Sequence, residues 1–171
     1  MVNSSNDSEE AIIKEAYRIE EDVLYSEKSN FVLGNYWGYC NYILGIIIII
    51  LSITAGGFAF SNLSGGLNIL IGIVTIVITA VSIIQIFLNP CEKSRISHNV
   101  GIRYNKLRRE IRIFYNTEVY ILSTEESLQR LTKFTNDKTQ LDSESPNIPG
   151  FIYNKAKKTI EREEHSYSVD N

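Results

Sequence analysis

Hydrophobic and polar positions are distributed very unevenly along this chain. Residues 29–91 include no Asp, Glu, Lys or Arg, and they hold two long apolar runs, 42–60 and 67–88. A short uncharged turn, residues 61–66, separates the two runs. A bilayer core about 30 Å thick is crossed by roughly 20 apolar residues in a helix. The pattern therefore predicts a transmembrane hairpin, with spans at about 40–60 and 67–88.

A pair of buried helices in a soluble protein is the alternative interpretation. It is disfavoured because a core helix seldom needs so long an apolar run. The β-branched run at residues 46–50 would disfavour a helix in water, but in lipid every backbone polar group must be paired within its own segment, which forces the helix. Aromatic side chains settle at the headgroup level, so Tyr36, Trp37, Tyr39 and Tyr42 predict one membrane boundary.

The segment before the first span has the pattern of an amphipathic helix. Apolar residues recur at helical spacing with acidic and basic residues between them: Ile12, Ala16, Ile19 and Val23. We predict a cytosolic helix over about residues 8–29, too acidic for a membrane-surface helix. Asp7 followed by Glu10 is typical of a capping box, and residues 1–6 are expected to fray.

After the second span, Asn89-Pro90 is typical of a helix start, with a Pro kink in one long helix as the competing interpretation. A helix should continue to about Tyr115, with an apolar stripe of Ile96, Val100, Tyr104, Leu107, Ile111 and Phe114. Asn116-Thr117 interrupts it.

Two further helices are predicted in the C-terminal part. One lies between Glu118 and Asp137, with Thr124 as a candidate internal cap, and is followed by a polar loop at residues 138–145. The last helix runs from about Gly150 to Glu163, with an apolar face of Ile152, Ala156 and Ile160.

Together these elements predict an all-α membrane protein in four parts. They are an N-terminal cytosolic amphipathic helix (1–36), a two-helix transmembrane hairpin (37–89), a cytosolic helical region (90–163) and a disordered tail (164–171). Whole-chain averages conceal this split, because 22% charged residues coexist with a mean hydropathy near zero. The net charge of −3 says little about a partner.

The placement of Lys and Arg predicts the orientation. The turn between the spans has neither residue, whereas both flanks are rich in them, as at Lys14, Arg18 and Lys28 before the first span. Basic flanks stay on the cytoplasmic side. We therefore expect a multi-pass protein of the inner (cytoplasmic) membrane with both termini in the cytoplasm.

One face of the second span is small or polar. The members of this face alternate at spacings of four and three: Asn68, Gly72, Thr75, Thr79, Ser82, Ile86 and Asn89. All but Ile86 are small or polar, and Gln85 lies beside Ile86. The first span has a weaker counterpart in Gly38, Gly45, Ser52, Gly56 and Ala59. Two interpretations stay open. Either these faces pack the two spans together, or copies of the second span surround a wet path that the polar residues line.

A cluster of basic residues follows the second span: Lys93, Arg95, Arg103, Lys106, Arg108, Arg109 and Arg112. Such residues hold a terminus in the cytoplasm and contact anionic headgroups. A phosphate site for a nucleotide messenger is the alternative, without a Gly-rich loop to support it. Around a pore mouth these charges would favour anions weakly.

The sequence offers no catalytic constellation, so we expect no enzyme, metal or cofactor. Ligand spacings, a Walker A motif and a GxSxG elbow are absent, and direct nucleic-acid binding is not expected either. His98 is interpreted as a surface histidine near the headgroups, with pH sensing as an alternative. Cys40 and Cys91 are interpreted as reduced thiols, with lipidation or an intersubunit bridge left open.

The order of these features resembles the SLATT family, two-span effector domains of bacterial nucleotide-linked conflict systems. The resemblance covers about residues 11–162. Its most specific part is the block from Glu92 to Ile111, which contains Glu92, Arg95, His98, Arg103-Tyr104 and Leu107-Arg108-Arg109-Glu110-Ile111. Gln85-Ile86-Phe87 before it and Ser145-Pro146-Asn147-Ile148-Pro149 after it add to the match.

The resemblance implies an antiviral defence effector that forms a homo-oligomeric pore in the host membrane, as in abortive infection. It further implies a nucleotide synthase, a messenger sensor or a reverse transcriptase as partner. The alternative is a membrane-anchored interaction module that conducts nothing and recruits a cytosolic partner. Copy number, activating signal and ion selectivity do not follow from the sequence.

Overall fold

A computed structural model describes residues 2–60 and 67–163, with side chains over 7–57 and 69–162. Helix dominates the described residues, and no strand occurs among them. The helices are α1 (Val2–Phe60), α2 (Leu67–Leu88), α3 (Pro90–Asn116), a 3-10 turn (Glu118–Tyr120), α4 (Thr124–Glu144) and α5 (Gly150–Glu163). They form two compact units, Asn35–Arg95 and the described parts of Met1–Gly34 with Ile96–Asn171. We call these the apolar pair and the bundle unit.

The N-terminal helix begins earlier than the sequence predicts. Because α1 starts at Val2, the helix begins about six residues before its predicted start near Ser8. Asp7 lies inside the helix and does not cap it, so the predicted capping box is wrong. The predicted turn at 61–66 and the tail at 164–171 lie outside the described residues.

Asn89 separates α2 from α3, as the helix-start interpretation predicts. Its φ of 42° lies in the left-handed region, which Asn tolerates better than most residues. Its backbone N–H donates to the Gln85 carbonyl at 3.0 Å and so ends α2. Its side-chain oxygen accepts from the Glu92 N–H at 3.4 Å and so begins α3. One residue therefore caps both helices.

The fourth helix differs from its prediction at both ends. The cap is Ser123 rather than Thr124, and Ser123 and Glu126 form a complete capping box. The helix continues to Glu144, so the predicted polar loop at 138–145 is wrong. Its polar residues pair one turn apart, as in Lys138–Asp142 at 2.8 Å, while Leu141 is buried beneath them. The polar composition of this segment belongs to a solvated helical face, not to a loop.

Apolar stripes from α1, α3 and α4 form the core of the bundle unit. The predicted stripe of α1 is fully buried, and Phe114 of α3 meets Phe134 of α4 edge to face with ring centroids 5.5 Å apart. The stripe of α3 is buried except at Ile96, which is 40% exposed, while the neighbouring Ser97 is buried instead. The predicted apolar face of α5 is confirmed, since Ile152, Ala156 and Ile160 are all buried.

The two apolar stretches pack along seams with alternating spacings of three and four. Half-buried positions mark the seam on each helix: Trp37, Asn41, Leu44, Ile48, Leu51 and Ala55 on α1, and Ile71, Val74, Ile78, Val81, Gln85 and Leu88 on α2. This spacing is typical of helices that pack side by side.

Two helical stretches are long and apolar enough to cross a membrane, one within Asp7–Gly57 and one within Ile69–Tyr120. The rest of the protein buries none of the residues in either apolar window. A core helix of a soluble protein would be mostly covered by its neighbours. Here the large aliphatic side chains point outward, as at Ile53, Ile76 and Ile86.

Candidate functional site

The polar face of α2 lies beside the packing seam. Gly72, Thr75 and Thr79 are exposed, and each follows a seam position by about 100° around the helix. The side chain of Asn68 lies outside the described residues. Within one copy of the chain, these three residues are therefore not covered by α1.

The hydroxyl groups of this face are bonded within their own helix. Thr75 Oγ1 donates to the Ile71 carbonyl at 2.9 Å, Thr79 Oγ1 to the Thr75 carbonyl at 2.9 Å, and Ser82 Oγ to the Ile78 carbonyl at 2.8 Å. Each hydroxyl proton is thus bonded to a carbonyl one turn earlier in the helix, and the oxygen lone pairs stay available on the surface. Such a face tolerates contact with lipid, with another helix or with water.

Gln85 faces the first apolar stretch. It is half-buried, and its Nε2 donates to Oδ1 of Asn41 at 3.2 Å. An interhelical amide bond of this kind fixes the register of two helices in an apolar surrounding. Ser82 is also half-buried, whereas Asn89 is exposed and caps the helices. The predicted set therefore divides into an outward part and a part engaged within the chain.

Small residues are not used for close contact within the apolar pair. A Cβ atom built on Gly45, Gly56 or Gly72 meets nothing within 4 Å. On Gly38 it would lie an ordinary 3.4 Å from Ser94 Oγ. Ser52 is exposed, and the side chain of Ala59 is not among those described. Helix pairs driven by small residues bring their backbones much closer than this, so these positions leave room for a neighbour outside the chain.

Most of the predicted basic residues already have carboxylate partners. The pairs are Arg95–Glu92, Arg103–Glu144, Lys106–Glu110, Arg108 with Glu27 and Glu20, and Arg112–Glu20. Lys93 lies 4.5 Å from the centre of the Trp37 ring. Arg109 has no ion-pair partner among the residues that the structure describes. A phosphate group would have to displace a carboxylate from nearly every one of these side chains.

A buried ionic network joins α1 to α3. Glu27 has a side chain only 5% exposed, and its carboxylate accepts from Arg108 Nη1 and from Asn105 Nδ2, both at 2.9 Å. Arg108 is 13% exposed, and its Nε lies 3.8 Å from Glu20 without a hydrogen bond. Burying a desolvated charge is costly, so the loss of either Glu27 or Arg108 would leave the other charge buried without its counter-ion.

Two tyrosines extend this network. Tyr104 OH donates to Asp142 at 2.6 Å, and Tyr115 OH donates to Glu20 at 2.9 Å. Burial, with these carboxylate contacts second, raises the pKa of Tyr115 to about 12 and that of Tyr104 further still. Both effects penalise the phenolate, because it would be poorly solvated and would face a negative charge.

Sequence reasoning missed the polar side chains in the α1 stripe. Asn30 is fully buried, and its Nδ2 donates to the Ser26 carbonyl at 3.0 Å and to Ser145 Oγ at 3.1 Å. Glu27 and Asn30 continue the buried register of Val23. Extending that register past Val23 would have found them.

The histidine and cysteines remain without an assigned chemistry. His98 is half-buried rather than on the open surface, with its ring against Gly34 and 5.8 Å from the Phe31 ring centre. Cys40 and Cys91 are free thiols. Across the described residues, His, Cys, Asp and Glu side chains form no group of three that could hold a metal ion.

Comparison with known proteins gave no match. No protein-family model, curated protein or solved structure is similar to this chain.

Removing Arg108 should destabilise the bundle unit strongly. Arg108→Ala leaves the Glu27 carboxylate buried without its cation, a change that costs about 3–5 kcal/mol. The exposed pair offers a control, since Arg95→Ala removes a solvent-screened contact and should change the unfolding midpoint little. Thermal unfolding followed by circular dichroism in mild detergent measures the midpoint of both variants. Equal midpoints for the two variants would contradict a structural role for the buried pair.

The tyrosines predict loss of stability in alkali. A tyrosine whose pKa is higher in the folded protein ionises first in the unfolded chain, so its stabilising effect is complete below about pH 10 and is lost as pH rises toward 12. The unfolding midpoint should fall across this window. The double variant Tyr104→Phe, Tyr115→Phe should start lower and change less over the same pH range. An equally steep fall in that variant would assign the alkaline transition to other groups.

Proposed function

We propose that this chain is a membrane effector that oligomerises and forms a pore in, or disrupts, the inner membrane. It acts in an antiphage, abortive-infection type of system and is triggered by a partner or a nucleotide signal. The spans are the apolar stretches of α1 and α2, arranged as a transmembrane hairpin with both termini in the cytoplasm.

One observation carries this proposal: the apolar pair leaves both its aliphatic surface and its polar face uncovered. Lipid would cover the aliphatic surface. The face of Gly72, Thr75 and Thr79 tolerates lipid because its hydroxyl protons are bonded within the helix, but its small residues and free oxygen lone pairs match water or another helix better. Packing against α1 occurs elsewhere, on the seam that includes Ile71, Ile78 and Gln85.

A pore requires several copies, because two helices cannot enclose a water-filled path. Homo-oligomers with closed symmetry are the usual form of such assemblies. In that arrangement Thr75 and Thr79 face the path, the half-buried Ser82 lies at its edge, and the open glycine positions of α1 contact neighbours. The resemblance to SLATT effectors supports this function. It also makes a nucleotide synthase, a messenger sensor or a reverse transcriptase the class of partner to look for.

A different observation favours the anchored module as a second candidate. The bundle unit has its own core, and apolar side chains remain exposed at the turn before α4, with Ile121 80% exposed beside Tyr120. Exposed apolar side chains that cluster mark interaction surfaces. In this case the hairpin is only an anchor, and no current flows.

Blocking the polar face should abolish permeability without preventing insertion. Thr79→Leu combined with Ser82→Leu fills the proposed path with aliphatic groups, so dye entry on overexpression should return to the background level. A matched double variant on the outward apolar face, Ile76→Leu with Ile83→Leu, should leave dye entry unchanged. Carbonate extraction checks that all chains remain in the membrane. Undiminished dye entry in the first variant would exclude lining by these residues, and no dye entry with the original chain would favour the anchored module.

Any current through the pore should prefer anions only weakly. Positive charge at a pore mouth concentrates anions, but the basic residues after α2 are largely neutralised by carboxylates, as in Arg95–Glu92 and Arg103–Glu144. Reversal potentials in planar bilayers under a KCl gradient measure this preference. Strong cation selectivity would show that the basic residues do not surround the mouth.

A further inference from the structure

The bundle unit carries two surfaces of opposite charge, and each keeps at least one charged group outside the ion pairs of the described residues. The first is the outer face of α3, whose members recur at alternating spacings of four and three: Ile102, Lys106, Arg109, Ile113 and Asn116. We call it the α3 outer face. Ile102 and Ile113 are 57% and 56% exposed. This seam has the spacing of a helix-packing surface but no helix on it among the described residues.

One guanidinium group on this face is unpaired among the described residues, and the cations beside it are only loosely paired. Arg109 has no ion-pair partner in the described part of the chain. Its neighbour Arg112 reaches Glu20 only at 4.0 Å, and Lys106 reaches Glu110 only at 3.9 Å. Arg109, Arg112 and Ile113 also line a shallow cavity of about 330 Å³. Arginine next to exposed aliphatic residues is typical of the centre of a protein interface.

The second surface is an acidic groove formed by α1, α4 and α5, with a volume of about 530 Å³. The carboxylates of Glu21 and Asp22 line it, and neither has an ion pair in the described structure. The ammonium group of Lys138 is held 2.8 Å from Asp142, which neutralises it. At the groove, the rings of Tyr25 and Tyr153 stack with centroids 6.0 Å apart and planes 27° apart.

The chemistry of the groove fits an arginine side chain. A guanidinium group binds carboxylates through a fixed fork of donors and stacks on aromatic rings. Glu21 and Asp22 supply the carboxylates, and Tyr25 with Tyr153 supplies the rings. The α3 outer face supplies a guanidinium without a carboxylate of its own.

We propose that the α3 outer face of one copy docks into the acidic groove of a second copy, with Arg109 entering between Glu21 and Asp22. The occupant is a second copy because one chain carries both complementary halves. The contact is heterologous, since two different surfaces meet, and repeating it generates a ring or an open filament. This inference rests on the proposed function in one respect: the ring is the assembly that the pore requires.

Charge reversal tests the contact in full-length protein. One chain carries Arg109→Glu and Arg112→Glu, and the other carries Glu21→Lys and Asp22→Lys. When either reversed chain is expressed alone, like charges face each other across the contact. The yield of cross-linked dimers and higher oligomers in mild detergent should then fall about tenfold. Coexpressed with different tags, the two reversed chains should regain the original yield, because every contact between them is again complementary.

A matched control separates this effect from net charge. Lys133→Glu with Lys157→Glu makes the same charge change as the arginine pair on exposed residues outside both surfaces, and its cross-linking should equal that of the unmodified chain. Near-ultraviolet circular dichroism verifies folding. If a reversed chain does not fold, Arg109→Gln and the pair Glu21→Gln with Asp22→Asn replace it, and each should lower the yield several-fold.

Unchanged cross-linking in the reversed chains, or no recovery in the mixture, would overturn this contact. Loss of binding to anionic vesicles with cross-linking unchanged would assign the α3 outer face to lipid headgroups instead and would equally overturn it. Failure here is distinguishable from failure of the proposed function. Dye entry that depends on Thr79 and persists in the reversed chains disproves only the contact, whereas recovery of cross-linking without any dye entry disproves only the pore.

Discussion

The structure depends on one constraint of solvation, which is the exclusion of the aliphatic surface of the apolar pair from water. The windows within Asp7–Gly57 and Ile69–Tyr120 are not buried by any other part of the protein. Water solvates such a surface poorly, and hydrophobic free energy grows with its area. A lipid bilayer or another apolar surface would remove it from water.

The packing seam of α2 and its polar face differ in what covers them. Packing within the chain uses the aliphatic seam and the Gln85–Asn41 bond, which fixes the register of the pair. The face of Gly72, Thr75 and Thr79 is left out of this packing, although small residues would have allowed a closer approach. A chain that packs its two apolar helices without using its small residues keeps them available for contacts outside itself.

Periodicity predicted the elements well where several apolar residues mark the buried face and poorly where a single one, such as Leu141, does. The stripes of α1, α3 and α5 were readable because apolar residues at helical spacing indicate a helix with one buried face. The last turns of α4 were not, because polar residues stabilised by pairs such as Lys138–Asp142 resemble a loop in composition. Local sequence also could not show which carboxylate pairs with Arg108, since Glu27 lies 81 residues away and is brought there only by the fold. The packing of Ser97 in place of Ile96 has the same origin.

The internal ion pairs of the bundle unit determine which of its charged groups stay unpaired. Once Arg103, Arg108 and their carboxylates are matched, some charged groups stay without an ion pair in the described structure. Among them, Arg109 lies on the outer face of α3, and Glu21 and Asp22 lie beside Tyr25 on α1. Unmatched charges on separate faces cannot neutralise each other within one rigid unit, but they can do so between units. The proposed contact between copies depends on this separation of charge, and a directional contact that closes on itself gives a symmetric assembly.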